Sequence, residues 1–126
     1  MILDTCFLID LQRELRKRVA GRAASFLEER AEAHFCISVI SVTEFLEGFF
    51  QPGEGERFLR AYARVDVDSR VAAQAAIIRR DLRLGGNLIG DFDILIAATA
   101  LCESIPLVTR NIEEFSRVEG LELVTY

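Results

Sequence analysis

Short apolar runs alternate along this chain with longer stretches in which apolar residues recur at helical spacing. The runs at residues 1–3, 35–39 and 107–109 are closed by polar residues and are too short for a helix, which is typical of buried strands. Residues 71–82 show the helical spacing most clearly. Strands that alternate with helices pair in parallel, because each helix returns the chain across the sheet. This pattern constrains the fold more than any other feature of the sequence.

The alternation predicts an α/β fold of three layers, in which a parallel sheet of four to five strands lies between helices on both faces. The first long helix is predicted at residues 15–32, and segment 92–102 is apolar on nearly every side, which predicts a helix buried between layers. Further helices are predicted to begin near residues 41, 55 and 71, with a helical turn at 111–115. Strands are predicted at residues 1–3, 35–39, 65–67, 107–109 and 121–125. No repeat or linker divides the chain, so we interpret residues 1–126 as a single domain.

Composition and charge exclude several other classes of protein. The longest stretch without a formal charge, residues 33–43, is much shorter than the roughly 20 residues of a membrane-spanning helix. Asp4 stands where a signal peptide would carry a basic lead, which favours a cytoplasmic protein without a membrane partner. Cys6, Cys36 and Cys102 show no C-x-x-C spacing and are expected to be free, buried thiols. The net charge of −5 provides no general attraction to nucleic acid, although local arginines or a bound cation can reverse the field.

Polar side chains follow the predicted strands. Asp4 comes directly after the first strand, Glu44 a few residues past the second, and Asn111 shortly after the fourth. Asp91 and Asp93 stand at the start of the buried helix. Because the carboxyl ends of parallel strands meet at one edge of a sheet, we expect these side chains to converge there. Carboxylates in a partly desolvated crevice repel one another, and a divalent cation with oxygen ligands, Mg²⁺ or Mn²⁺, would compensate them.

The same residues also have an interpretation as helix caps. Ser41 and Glu44 fit the spacing of a capping box, and Asn111 and Glu114 share that spacing. The aspartates would complement the positive end of the helix that each precedes or opens. Capping explains why helices start at these positions, but not why so many of the positions carry an acid. Asp93 is the hardest to explain in this way, since an unpaired carboxylate next to an apolar run is costly.

Four segments occur in order along the chain: residues 1–5 (MILDT), 38–48 (SVISVTEFLEG), 93–101 (DILIAATAL) and 107–111 (LVTRN). Together they resemble the PIN domain, and specifically the VapC-type toxins of bacterial and archaeal toxin–antitoxin modules. The resemblance covers essentially the full chain. Any one motif alone would be a weak signal, whereas four in register are specific.

The resemblance implies a Mg²⁺- or Mn²⁺-dependent endoribonuclease that acts as the toxin of a toxin–antitoxin pair. It also implies that Asp4, Glu44 and Asp93 form the acidic, metal-binding constellation of the catalytic site. Many PIN domains have a fourth acid after the fourth strand, where this chain has Asn111, a residue that can still coordinate a metal or bond to a metal water. Three nearby acids are open as replacements for it: Asp91, Glu113 and Glu114.

The corresponding mechanism is hydrolysis of an RNA phosphodiester by metal-activated water. Asp4 and Asp93 would hold the ion, while Glu44 would complete the ligand set or orient the attacking water. Asn111 is a further candidate for the catalytic set, and Asn111 and Thr5 are candidates for positioning the reacting groups. Thr5 and Arg110 are predicted to bind the substrate; Arg110 is the arginine next to the proposed site, and its planar guanidinium suits phosphate.

Two basic clusters and one aromatic segment are candidate surfaces for binding RNA or protein partners. The first cluster consists of Arg13, Arg16, Lys17, Arg18 and Arg22, and the second of Arg79, Arg80 and Arg83. Each cluster is also explained as the solvated face of a helix. Two short helices are not expected to bury all the rings of the aromatic segment, which are Phe45, Phe49, Phe50, Phe58 and Tyr62. In the resembled family such a surface serves homodimerisation and capture of the antitoxin. A homodimer and a VapB-type antitoxin are therefore expected partners, besides the RNA substrate.

Three other functions compete with the nuclease. A phosphate-receiver domain has similar length and alternation, but it needs a lysine at the end of the last strand, and the single lysine here is Lys17. A haloacid-dehalogenase-like phosphatase is disfavoured because the residues after Asp68 depart from its pattern; Asp66 and Asp68 are better explained as a strand end and a helix cap. A catalytically idle PIN-like binding module stays open as the main alternative.

Overall fold

A computed structural model describes residues 1–126, apart from the side chain of Pro52. The strands are β1 Ile2–Leu3, β2 Cys36–Ser38, β3 Ala63–Val65, β4 Leu107–Val108 and β5 Leu123–Val124. The helices are α1 Thr5–Lys17, α2 Arg22–Glu29, α3 Val39–Glu47, α4 Pro52–Leu59, α5 Ser69–Leu84, α6 Asp91–Glu103 and α7 Ile112–Phe115. The strands form one parallel sheet in the order β3-β2-β1-β4-β5. The predicted α/β class is confirmed.

Strand β1 lies at the centre of the sheet and places the first acid of the candidate site. Leu3 pairs with Ile37 of β2 and with Val108 of β4. The hydrogen bonding continues one residue further, because the Asp4 N–H donates to the Val108 carbonyl at 3.0 Å. The carboxyl ends of β1, β2 and β4 therefore lie side by side, with Asp4 in the middle.

Consecutive residues of the central strands enter different cores, because side chains alternate between the two faces of a sheet. Ile2 and Leu107 pack in a core with α5 and α6, whereas Leu3 and Val108 pack in a core with α1, α2 and α3. Helix α6 is buried along most of its length, as its apolar sequence predicts. Helices thus cover both faces of the sheet.

The prediction of one helix at residues 15–32 is wrong, since two helices occupy this region and the first begins at Thr5. Arg18 ends α1 in the left-handed conformation (φ 54°), and Gly21 precedes α2. The Glu14 carboxylate caps α2 by accepting the Ala23 and Ala24 N–H groups at 3.1 and 2.9 Å. The apolar spacing continues across this turn, so periodicity alone does not detect it.

Other boundaries differ by two or three residues. Helix α3 begins after Ser38, whose hydroxyl accepts the Ile40 N–H at 3.2 Å, and not at Ser41. Strand β3 ends at Val65 and does not extend to residue 67. The interpretation of Asp68 as a helix cap is confirmed, because its carboxylate accepts two N–H groups at the start of α5.

The aromatic segment is packed more completely than the sequence predicts. Phe45 is buried, stacks on Phe58 with ring centroids 5.0 Å apart, and contacts Phe49 at 5.1 Å. Tyr62 packs beside Phe58. These rings bury one another where α4 lies against α3, and Phe50 is the member of the segment that is fully exposed.

Two expectations from composition can be compared with the structure. None of the described helices combines the length and the apolar character needed to cross a membrane. Cys6, Cys36 and Cys102 are free thiols, as expected, but they are half-buried and not fully buried.

Candidate active site

Asp4 occupies the turn between β1 and α1 and is held by three donors. Its Oδ1 accepts the Thr5 N–H at 2.7 Å, and its Oδ2 accepts the Thr109 hydroxyl at 2.7 Å and the Cys6 thiol at 2.9 Å. The side chain is buried, with Asp4 only 4% exposed. Hydrogen bonds of this kind offset the cost of burying a carboxylate and fix its orientation. Burial and then the charge of Asp4 raise the pKa of Cys6, which keeps it a thiol donor.

Glu44 lies on α3 and is tied to the Asp4 turn. The Thr5 hydroxyl donates to Glu44 Oε2 at 2.5 Å, across 39 residues of sequence. The interpretation of Ser41 and Glu44 as a capping box is therefore wrong, because Ser38 caps the helix and Glu44 bonds to another segment. Burial raises the pKa of Glu44, the Thr5 bond lowers it, and the charges of Asp4 and Glu47 raise it again.

Asp93 lies in the first turn of α6 and faces the other acids. Burial is the largest cause that raises its pKa to about 6, followed by the charges of Asp4, Glu44 and Glu114. Every charge that acts on this carboxyl is negative. Gly90 leaves room for it, since a Cβ at that position would lie 3.1 Å from Asp93 Oδ2. The structure thus brings four acids from distant segments to one edge of the sheet.

The fourth of these acids is Glu114, presented by Asn111. The Asn111 Nδ2 donates to Glu114 Oε2 at 2.6 Å, and its backbone N–H donates to Thr109 Oγ1 at 3.0 Å. The interpretation of Asn111 as a side-chain cap is wrong, because its amide bonds to the glutamate and not to a helix N–H.

The two other acids left open by the sequence are engaged elsewhere. Asp91 pairs with Arg79 at 2.9 Å, and Glu113 lies 3.6 Å from Arg117 with a side chain that is 90% exposed. Of the three candidates, Glu114 is the one whose charge is among the causes that raise the pKa of Asp93.

Arg110 projects from the same edge but is paired. Its guanidinium lies 2.6 Å from Asp10 Oδ2, which also accepts the Tyr126 hydroxyl at 2.9 Å. Asp10 is on α1, one and a half turns beyond Asp4. The Arg110 side chain is 56% exposed and remains accessible to solvent.

Sequence reasoning did not find Thr109 or Cys6 as neighbours of Asp4. Thr109 lies within the recognised segment 107–111, and its position directly after β4 is a signal of the kind that identified Asp4. No sequence signal indicates the bond between Cys6 and Asp4, because it depends on the direction of two side chains in one turn of helix.

The donor set fits a hard divalent cation in its chemistry. Carboxylate oxygens are the ligands that Mg²⁺ and Mn²⁺ prefer, and the mutual repulsion around Asp93 is the charge such an ion would neutralise. Among the described side chains, however, no three of Asp, Glu, His or Cys are already grouped closely enough to hold an ion. An ion held by three of these side chains would therefore need them to move toward a common point, whereas two carboxylates with waters are also a usual ligand set for Mg²⁺.

Comparison with known proteins places this arrangement in a family. The family model of the PIN domain matches residues 1–121. The chain belongs to the PIN domain family. This PIN domain is 30% identical to ribonuclease VapC1 of Rickettsia felis, over 99% of this chain and 95% of that protein. It is 33% identical to the tRNA(fMet)-specific endonuclease VapC of Shigella flexneri, over 71% of this chain and 74% of that protein.

The same relation holds in three dimensions. The PIN domain superposes on a chain of the crystal structure of VapBC2 from Rickettsia felis bound to a promoter DNA fragment, with a TM-score of 0.82 and 26% identity. The match covers 99% of this chain and 97% of that one. The family resemblance seen in the four sequence segments is confirmed.

Proposed function

We propose that this PIN domain is a divalent-metal-dependent endoribonuclease and the toxin of a toxin–antitoxin pair. The observation that carries the proposal is that carboxylates from segments far apart in the sequence come together at one edge of the sheet, where burial and then the charges of Asp4, Glu44 and Glu114 raise the pKa of Asp93. A structural cap or a phosphate-receiver pocket does not require four acids facing one another. Relatives named ribonuclease or endonuclease VapC support the same chemistry.

Each residue has a distinct role in the proposal. Asp4 and Asp93 would hold Mg²⁺ or Mn²⁺, with Glu44 as a further ligand or as the group that orients the attacking water. The ion, when bound, supplies positive charge that offsets the charge growing on the phosphate oxygens. Thr109 keeps Asp4 in its orientation, and Thr5 does the same for Glu44.

The substrate side of the site is formed by residues around α7. Asn111 donates a hydrogen bond to Glu114, and Glu114 is proposed to take the place of the acid that many PIN domains carry at position 111. Arg110 is proposed to contact a substrate phosphate after exchanging its Asp10 partner for the RNA. Transfer RNA is the first substrate class to test, since the Shigella relative is named for it.

A VapB-type antitoxin and a second copy of this chain are the proposed protein partners. The antitoxin is supported by structural relatives that are VapBC and other toxin–antitoxin complexes. Homodimerisation rests on exposed apolar side chains that a second copy would cover.

The test of the proposed reaction compares two Asp→Asn variants in one helical turn. Asp93→Asn is expected to reduce Mg²⁺-dependent cleavage of a transfer RNA pool by about 100-fold or more, because it removes the negative charge of a proposed ligand of the ion. Asp91→Asn is the matched control, since Asp91 is exposed and paired with Arg79. Cleavage by the Asp93→Asn protein at the wild-type rate would contradict the proposal. Antitoxin binding without any metal-dependent cleavage by wild type would support the idle binding module.

A further inference from the structure

The two basic clusters of the sequence differ in how many of their cations are paired with an acid: one of five in the first cluster and two of three in the second. Arg79 and Arg80 of the second cluster each lie 2.9 Å from an aspartate. Among the described residues, no ion pair involves four cations at the turn between α1 and α2, which form what we call the α1–α2 patch: Arg16, Lys17, Arg18 and Arg22. All four are exposed. The chain is acidic overall, so this patch is a local reversal of its charge.

The acid closest in sequence to the patch does not neutralise it. Glu14 uses both carboxylate oxygens to accept the Ala23 and Ala24 N–H groups at the start of α2. Its backbone carbonyl accepts the Val19 N–H at 3.2 Å, which closes the turn. The turn therefore displays four cations against the single negative charge of Glu14, and its net positive charge is available to an external anion.

The patch also contains apolar surface, but too little for a membrane. Leu15 is 58% exposed and Val19 is 63% exposed. A helix that binds in a membrane interface needs a continuous apolar face with aromatic or leucine side chains, whereas the apolar face of α1 is buried in the protein core. Cations around two aliphatic side chains match a nucleic acid strand, whose phosphates take the cations while sugars and bases contact apolar groups.

One helix connects the patch to the candidate active site. Asp4 caps the first turn of α1, and the patch begins in its last turn. At about 1.5 Å per residue, the 13 residues of α1 separate the two by roughly 20 Å. A substrate that contacts both ends must be a long or folded RNA.

We propose that the α1–α2 patch is a docking surface for the phosphate backbone of the RNA substrate, distant from the bond that is cleaved. The proposal rests on the proposed nuclease function and adds a substrate class to it, namely RNA long enough to span α1. Docking at the patch lowers KM for such RNA and leaves the chemical step unchanged.

The experiment compares two triple variants with the same loss of charge. The patch variant is Arg16→Gln, Arg18→Gln and Arg22→Gln. The matched control is Arg64→Gln, Arg70→Gln and Arg80→Gln, since each of these arginines is exposed and already paired with an acid. Cleavage kinetics are measured on bulk transfer RNA and on a tetranucleotide, which extends only two nucleotides from a central scissile bond. Thermal melting establishes that both variants are folded.

The patch variant is expected to raise KM for transfer RNA roughly tenfold, with kcat unchanged and tetranucleotide cleavage unaffected. The slope of log KM against log salt should fall by about 2 to 3, at roughly 0.7 to 0.9 for each lost phosphate contact. The control variant should match wild type. Equal effects of the two variants, or an equal effect on the tetranucleotide, would overturn the proposal.

Further outcomes separate this proposal from the nuclease function itself. If wild type cleaves neither RNA, the nuclease proposal fails, and fluorescence anisotropy of labelled transfer RNA still decides whether the patch variant loses binding. Unchanged RNA binding by the patch variant would overturn the proposed docking surface. Loss of binding to phosphatidylglycerol vesicles or to the antitoxin, with RNA binding unchanged, would overturn it as well and would assign the patch to that other partner.

Discussion

Asp93 is the residue at which the negative charge of the site is least compensated. Asp4 has three hydrogen-bond donors, and Glu44 has the Thr5 hydroxyl. Asp93 receives no side-chain or capping hydrogen bond among the described residues, and three carboxylates raise its pKa. A carboxyl group held in this way destabilises the metal-free protein, as is common at sites where function and stability conflict.

The raised pKa of Asp93 predicts how this cost depends on pH. Above about pH 6 the group is ionised in both the folded and the unfolded chain, so the cost is fully present; it declines as the pH falls from 6 and is gone below about 4, where both states are protonated. Asp93→Asn should therefore stabilise the metal-free protein at pH 8. We expect about 1 kcal/mol, or about 4 °C in Tm, after discounting for the partial exposure of the side chain.

Thermal melts of wild type and Asp93→Asn between pH 4 and pH 8 measure this effect. The gain should shrink as the pH is lowered, and saturating Mg²⁺ should reverse it by stabilising wild type alone. A difference in Tm that does not change with pH would show that Asp93 is not repelled by its neighbours.

The elements of the fold follow from the sequence wherever the apolar pattern is unambiguous. The buried runs of β1 and β4 and the apolar segment of α6 are predicted within one or two residues. The division between α1 and α2 is not, because the apolar spacing continues through the left-handed turn at Arg18. From the sequence alone, Ser38 and Ser41 are both candidates for the residue that caps α3. The choice depends on where β2 ends, and that is set by its pairing with β1.

The candidate site, like the fold, is predicted by the sequence only in part. Strand ends that meet at one edge predict the convergence of Asp4, Glu44 and Asp93, since this follows from parallel topology. The hydrogen bonds that hold them do not follow, because the contacts of Thr109 with Asp4 and of Asn111 with Glu114 depend on side-chain directions.

The end of α6 offers a prediction at the scale of one element. Ser104 caps this helix in the left-handed conformation, with φ of 53°, where a side chain is strained. Ser104→Gly should stabilise the protein by about 1 kcal/mol, measured by urea denaturation. Ser116 caps α7 with a right-handed φ of −64°, so Ser116→Gly is the control and should not stabilise. Equal effects of the two changes would contradict the assigned conformation of the α6 cap.

At the scale of the whole molecule, charge and apolar surface are unevenly distributed. The acids of the candidate site lie near the start of α1, and the α1–α2 patch lies at its end. The patch would attract the phosphates of an RNA, whereas a metal ion is needed to offset the repulsion between those phosphates and the acids. Three exposed apolar side chains lie on and after α5: Ile77, Leu84 and Leu88. Ile77 and Leu84 are two turns apart on the same face.

This exposed face predicts where two copies of the chain meet. Light scattering should show a dimer, and Leu84→Glu should shift it to monomer by placing a charge on the face. Phe50→Glu is the control, since Phe50 is a fully exposed apolar side chain on a different segment, between α3 and α4. A wild-type protein that stays monomeric at high concentration would contradict the predicted homodimer.

The central claim is that acids from distant segments gather at one sheet edge to hold a hard cation. Calorimetric titration with Mn²⁺ tests it most directly, on wild type, Asp93→Asn and Asp91→Asn. We predict binding to wild type and to Asp91→Asn, with affinity lowered at least tenfold in Asp93→Asn. No uptake of the ion by wild type, or equal affinity in all three proteins, would contradict the account.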